Sequence, residues 1–486
     1  MLGFWLVVDT KSRMPSVKIA YIIGTSFLFF IVALFLLLII KEGYDPLAVI
    51  MMASFATFMI IHQGVMNYTV RKNENWFQID LMFLLMYFFV HFWLWIAVQY
   101  GFAEEIWKST TYLGRVNYAV ALSLLGLSAF LLGFNVKRNI DTHQVKGRSS
   151  HVQWEKLGFV LFYTGAGLTV SYALYFGASA FEGGYTGSEV GGLGARSVYL
   201  LQGILLKLGI LILLILNADS ESFVPKCRIP LIVLVAVLSM LLVLGDRSEF
   251  LYTLAVVLFA YTRYFRRIPL SVLVVGFVAI IFMMSVVQFS RKAETRSLST
   301  IYEVAGTKSD SISTTHGLNG ISASGKVLLG AVNAVPKHHP YFYGDLKVVE
   351  LLGIIPYGRT LFLHLISSEK FGTSSDFLTW YIRGPNSATG TGTTIVADLY
   401  LDYGPSGVVM GLFLLGFIAN YVHIKASHMD SMVNAVIFCY FAGLLTVLPR
   451  YNMLMIIRGL IWPVIFLWVM RPFVEAQPIK RFGGKL

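Results

Sequence analysis

Six arginines and a spaced pair of aspartates are the residues of this chain best suited to chemistry. Arg247, Arg291, Arg359, Arg383, Arg450 and Arg458 each stand at or near an end of an apolar run or inside one long connecting segment. A guanidinium is a planar, permanently charged fork that meets a phosphate through parallel hydrogen bonds, so a group of them points to an anionic, phosphate-bearing ligand. Each charge-assisted contact is worth about 1.5–3 kcal/mol, and several together can hold a diphosphate. Asp398 and Asp402 lie four residues apart and share a helix face. They either pair with the arginines or act on a hydroxyl, and Asp398 is the leading candidate for a proton acceptor. His338, in the long segment with His316 and His339, stands behind it as an alternative base.

The surroundings of these residues sharpen the reading. Gly245-Asp246-Arg247-Ser248-Glu249-Phe250 separates two apolar runs. It is either an ion-paired turn that fixes a helical hairpin or an arginine oriented by its flanking carboxylates to meet an anion. Arg458 falls within the last apolar run, after Pro449-Arg450-Tyr451-Asn452. A charge at the centre of a membrane helix costs about 2.5–3.5 kcal/mol, so such an arginine reaches for the interface, a partner or a wet cavity. Arg359 and Arg383 are flanked by aromatics in Pro356-Tyr357-Gly358-Arg359 and Tyr381-Ile382-Arg383-Gly384. Gly320 to Lys326 imitates a phosphate-binding loop, but Val327 stands where a magnesium-binding Ser or Thr belongs, so the match is set aside. Cys227 and Cys439 are the two cysteines; neither is placed for a disulfide or a metal centre, and no metal or cofactor is expected.

The elements that must position these groups are membrane helices. Of 486 residues 56% are apolar and 13% charged, and the mean hydropathy of +0.70 excludes an ordinary soluble protein. The net charge of +12 resides in short connections rather than in a stripe interleaved with aromatics, which argues for topology and anionic lipid headgroups and against nucleic acid. Runs long enough to cross the bilayer lie near 17–40, 46–66, 79–100, 114–135, 156–176, 198–216, 229–244, 249–265, 268–288, 394–422, 431–448 and 453–470. The expected fold is therefore all-α and polytopic, with about twelve transmembrane helices.

Lysine and arginine alternate in abundance between successive connections. Lys11, Arg13 and Lys18, then Lys137 and Arg138, then Arg263, Arg266 and Arg267, then Lys480 and Arg481 mark one side as cytoplasmic, with both termini there. Three regions follow: helices one to nine over 1–288, a large outer segment over 289–393, and three helices with a cytoplasmic tail over 394–486. Within the outer segment, Lys326 to Val335 and Leu346 to Ile355 read as short amphipathic helices lying on the membrane. All six arginines fall on this outer side.

Gly245 to Phe250 after an apolar run, Tyr341 to Gly344 followed by Leu351 to Pro356, and Ala397 to Gly407 give the chain its resemblance to the O-antigen polysaccharide polymerases of Wzy type. The likeness covers the layout of nearly the whole chain through short motifs. It implies a membrane-embedded, metal-independent glycosyltransferase of GT-C-like fold in the bacterial inner membrane, its active site facing the periplasm. The implied reaction passes a glycan from undecaprenyl diphosphate to a new lipid-linked repeat unit. Lipid-linked oligosaccharides are then donor and acceptor, and a chain-length regulator is a further partner to look for. Arg247, Arg291, Arg359, Arg383, Arg450 and Arg458 would bind the diphosphates, with Arg247, Asp398 and His338 as catalytic candidates. An O-antigen ligase acting on lipid A core shares the donor. A flippase for lipid-linked sugars would instead need broken helices with charges at mid-membrane and repeated halves.

Overall fold

Apolar runs in a bilayer satisfy their own backbone N–H and C=O groups only as helices or closed barrels, and the regular elements described in this chain are helical. The computed structural model describes residues 14–71, 75–102, 113–136, 152–176, 192–218, 223–244, 246–290, 322–355, 358, 371–385, 387, 390–427 and 432–475. The first ten helices are α1 (Met14–Ile39), α2 (Pro46–Arg71), α3 (Ile79–His91), α4 (Trp93–Gln99), α5 (Val116–Val136), α6 (Val152–Phe176), α7 (Gly192–Leu216), α8 (Phe223–Leu244), α9 (Arg247–Tyr264) and α10 (Leu270–Ser290). Three short helices follow, α11 (Gly325–Ala334), α12 (Asp345–Leu352) and α13 (Ser374–Arg383). The last three are α14 (Ile395–Ser427), α15 (Met432–Val447) and α16 (Met455–Glu475).

Each of the twelve apolar runs forms helix. Among the described residues, eight helices have the length and apolarity of a span, or nine if the pair α3 and α4, bent by 45°, counts as one broken span. The bend falls at Phe92, where the single apolar run 79–100 divides into two helices.

The core is built around α5. In its most apolar stretch 89% of residues are buried, against 11% for α16, which places α5 at the centre and α16 at the rim. It packs most extensively on α14, while α6 packs on α7. The α5–α14 crossing is a small-residue contact: a side chain at Gly133 would strike the Phe413 backbone, and one at Gly416 would strike that of Phe130. Near the other end of α5, the Asn117 side chain accepts from Asp45 N–H at 2.9 Å and donates to the Lys41 carbonyl at 3.2 Å, tying the α1–α2 loop to this helix.

Candidate functional site

The site grows from a break in α14. Tyr403 and Gly404 leave helical geometry, Gly404 at φ +63° and ψ −147°, a region open essentially to glycine alone. Pro405 follows, and its missing N–H leaves the Leu401 carbonyl without the partner that a continuous helix would supply. The segment before α12 provides one: Phe342 N–H donates to the Leu401 carbonyl at 3.0 Å, and Tyr343 N–H to the Asp402 carbonyl at 3.1 Å. Tyr343 (φ +51°) and Gly344 (φ +98°) then turn the chain through left-handed geometry into α12. The Tyr403 hydroxyl closes the seam by donating to the Tyr343 carbonyl at 2.7 Å.

This seam sets the depth of the site. From Pro405 to Ser427 the second half of α14 has about 23 residues, roughly 34 Å of helix, enough to cross the ~30 Å hydrocarbon core alone. Asp398 and Asp402, on the first half, therefore stand at one end of the bundle and not at its middle.

Four ionisable side chains meet there. Lys347, from α12, reaches Asp398 Oδ1 at 2.7 Å and Asp402 Oδ2 at 2.8 Å. The second oxygen of Asp398 accepts from Met453 N–H at 2.9 Å, and Asp402 Oδ1 accepts from Gly344 N–H at 3.2 Å. Both aspartates are buried, and Lys347 keeps 18% of its side chain exposed. Burial opposes the charge on Lys347, but Asp398, Glu350 and Asp402 outweigh it and hold the ammonium above the ordinary lysine range. Glu350, one helical turn further along α12, is buried beside them. Its carboxyl is pushed up to about 8, first by burial and then by Asp398 and Asp402, against the opposing pull of Lys347 and Arg458.

Aromatic rings wall the cluster. Tyr400 lies 6.4 Å from Tyr118 and 6.0 Å from Tyr341 between centroids, and Tyr343 lies 6.3 Å from Tyr403. Tyr343 and Tyr403 are 66% and 50% exposed, a surface on which a sugar ring can stack.

The expected residues distribute as follows. Asp398 stands at the centre, but the cation that it and Asp402 hold is Lys347 and not one of the arginines. Arg458, in the first turn of α16, is close enough to act electrostatically on Glu350. Arg450 is half-buried in a 3-10 turn, Leu448–Arg450, five residues from the start of α16. Arg383 ends α13 and is exposed; its charge acts on Lys326, whose pKa is lowered by burial first and by that guanidinium second. His338 is exposed, with its ring 6.0 Å from that of Tyr381. Arg291 and Arg359 lie outside the described residues, as does the side chain of Arg247, whose backbone opens α9. Its flanking carboxylates have structural work: Asp246 caps α9 by accepting from Glu249 N–H at 3.0 Å, and Glu249 pairs with Lys207 of α7.

Lys347 and Glu350 are the residues that the sequence reading missed. The signal was present as Lys347-Val348-Val349-Glu350 inside a segment read as a membrane-surface helix, a spacing that puts both charges on one face. Among the described residues no group of three His, Cys, Asp or Glu is placed to hold a metal ion. The break in α14 supplies one of the broken helices that the transporter reading calls for, but its charges sit at the end of the bundle.

The family model for the O-antigen polysaccharide polymerase Wzy matches residues 21–474. No curated protein and no solved structure matches the chain.

Proposed function

The chain belongs to the O-antigen polysaccharide polymerase Wzy family, and from that membership we propose that it joins undecaprenyl-diphosphate-linked repeat units into a polysaccharide at the periplasmic face of the inner membrane. The observation that carries this reading is the placement of the Lys347, Asp398, Asp402 and Glu350 cluster at the end of the bundle, with Arg458 beside it. Outside the cytoplasm no nucleotide sugar is at hand, so the donor must bring its own leaving group, and a lipid diphosphate is one.

In this reading Arg458 and Arg450, with Arg247, Arg291, Arg359 and Arg383, bind the diphosphates and stabilise the charge that develops as the glycan departs. Asp398 has both oxygens engaged, so we assign it to holding Lys347 and the Met453 turn in place rather than to taking a proton. Below the break, an apolar groove of about 440 Å³ lined by Phe30, Leu34, Tyr118, Pro405, Val409 and Met410 offers a seat for the polyprenyl tail. Exposed Tyr343 and Tyr403 are suited to carry the sugar. Tail, diphosphate and sugar then line up along one end of α14.

The test is incubation of purified protein with a verified lipid-diphosphate repeat unit. The expected product is a ladder of longer lipid-linked glycans. No ladder rejects the reading, and transfer only to lipid A core would make the chain a ligase.

A further inference from the structure

Glu350 is 1% exposed, and among the described residues neither of its carboxylate oxygens meets a hydrogen-bond donor. A buried carboxylate left in that condition is costly, and such groups gather at functional sites. The charges facing it are Lys347 on its own helix, Asp398 and Asp402 on α14, and Arg458 on α16. Lys347 is committed to the two aspartates. In the turn that leads into α16, the side-chain oxygen of Asn452 is likewise buried without a donor, next to Met453, whose N–H holds Asp398. The unsatisfied atoms on Glu350 and Asn452 are all acceptors, and the ligand that completes a set of acceptors is one rich in O–H donors. A sugar has that chemistry.

Resting on the polymerase reading above, we propose that Glu350 takes the proton from the acceptor-sugar hydroxyl during glycosyl transfer, while Asn452 accepts from a second hydroxyl of the same sugar. In the step, the hydroxyl O–H bond breaks and its proton passes to the Glu350 carboxylate. The freed oxygen forms a bond to the anomeric carbon of the donor glycan. The bond from that carbon to the diphosphate oxygen breaks, and its electron pair leaves with the lipid diphosphate. The leaving group gains one negative charge as Glu350 loses one, so the net charge of the site is constant through the step. A carboxyl pushed up to about 8 by burial holds that proton more firmly than an exposed glutamate does. The cluster is covered by α12, an eight-residue helix entered through left-handed Gly344, whose outer side carries exposed Val348 and Leu351.

The test compares wild type with Glu350→Gln, which keeps the shape and loses the proton site. Three quantities are read: ladder formation from the cognate lipid-diphosphate repeat unit, its pH profile, and binding of the donor lipid. Expected for wild type is a rate that rises with pH up to about 8, and expected for Glu350→Gln is loss of that rise, a loss of turnover of about 100-fold or more, and donor binding within about threefold of wild type. Glu350→Asp, which restores a carboxylate on a shorter arm, recovers part of the rate and the pH dependence, and serves alone if the Gln variant does not fold. Turnover of Glu350→Gln within about threefold of wild type, an unchanged pH profile, or a Glu350→Asp rate equal to that of the Gln variant overturns the role of Glu350. Absence of a ladder from wild type overturns the polymerase reading and this inference with it.

Discussion

Two buried lysines in this molecule are handled in opposite ways. Lys207, 3% exposed, meets one carboxylate, Glu249, and lies 4.6 Å from the centroid of the Tyr252 ring. Among the described residues the pair is one to one, and it ties α7 to α9. Lys347 faces two aspartates in direct contact and a third acid, Glu350, nearby. A structural ion pair needs no surplus, because each uncompensated buried charge costs several kcal/mol. In the reading proposed here, the surplus of acid around Lys347, faced by Arg458 from α16, belongs to the site where protons and an incoming polar ligand are handled.

The largest effect should follow from removing the lysine at each place. Lys347→Met strands buried Asp398 and Asp402 and is expected to cost about 3–5 kcal/mol and all activity. Lys207→Met leaves Glu249, which is 22% exposed, and should cost clearly less. Denaturation in detergent measures both, and equal losses would erase the distinction. Next comes Arg458→Lys, expected to slow ladder formation by about tenfold or more, because a point charge does not reproduce a bidentate fork. An unchanged rate would remove Arg458 from the diphosphate site.

Gly404→Ala should follow, at about 1–3 kcal/mol of stability. A Cβ there is strained at φ +63° and would stand 2.9 Å from the Tyr341 hydroxyl. Full stability in that variant would mean that the break in α14 can be rebuilt without glycine. A pH-dependent effect belongs to Glu350. Its folded carboxyl sits at about 8 against an ordinary value of 4.5, so the folded state keeps a proton that the unfolded state releases between those values. Stability from this group is complete below about 4.5 and is lost as pH rises through about 8. Thermal unfolding of wild type relative to Glu350→Gln should therefore shift downward across that window, and parallel curves would count against it. The smallest effect is expected for His338→Ala, with turnover within about threefold, since this exposed ring lies against Tyr381. A large loss would return the base to His338.

Much of the fold is legible in the sequence because hydropathy is a local property: every apolar run became helix. The bend at Phe92 is not legible, since the one polar residue beside it, His91, is no helix breaker and the run continues apolar on both sides. The break in α14 had a readable cause in Gly404-Pro405, which deprives Leu401 of its helical donor. The Asp398 and Asp402 pair was visible from spacing, but its cation was not. Lys347 lies some fifty residues away along the chain, a separation that no local pattern reports. Its segment has the pattern of a membrane-surface helix because Leu346, Val348, Val349, Leu351 and Leu352 dominate it, yet Leu346 and Val349 are buried with Glu350.

In the proposed function the lipid diphosphate binds where α12 and the turn into α16 meet the break in α14. Photo-crosslinking with a lipid-diphosphate repeat unit carrying a diazirine next to its diphosphate, followed by peptide mapping, tests it most directly. Label on peptides containing residues 341–350 and 449–458 is the predicted result. Label confined to the other end of the bundle, on peptides around Asn75 and His423, would contradict it.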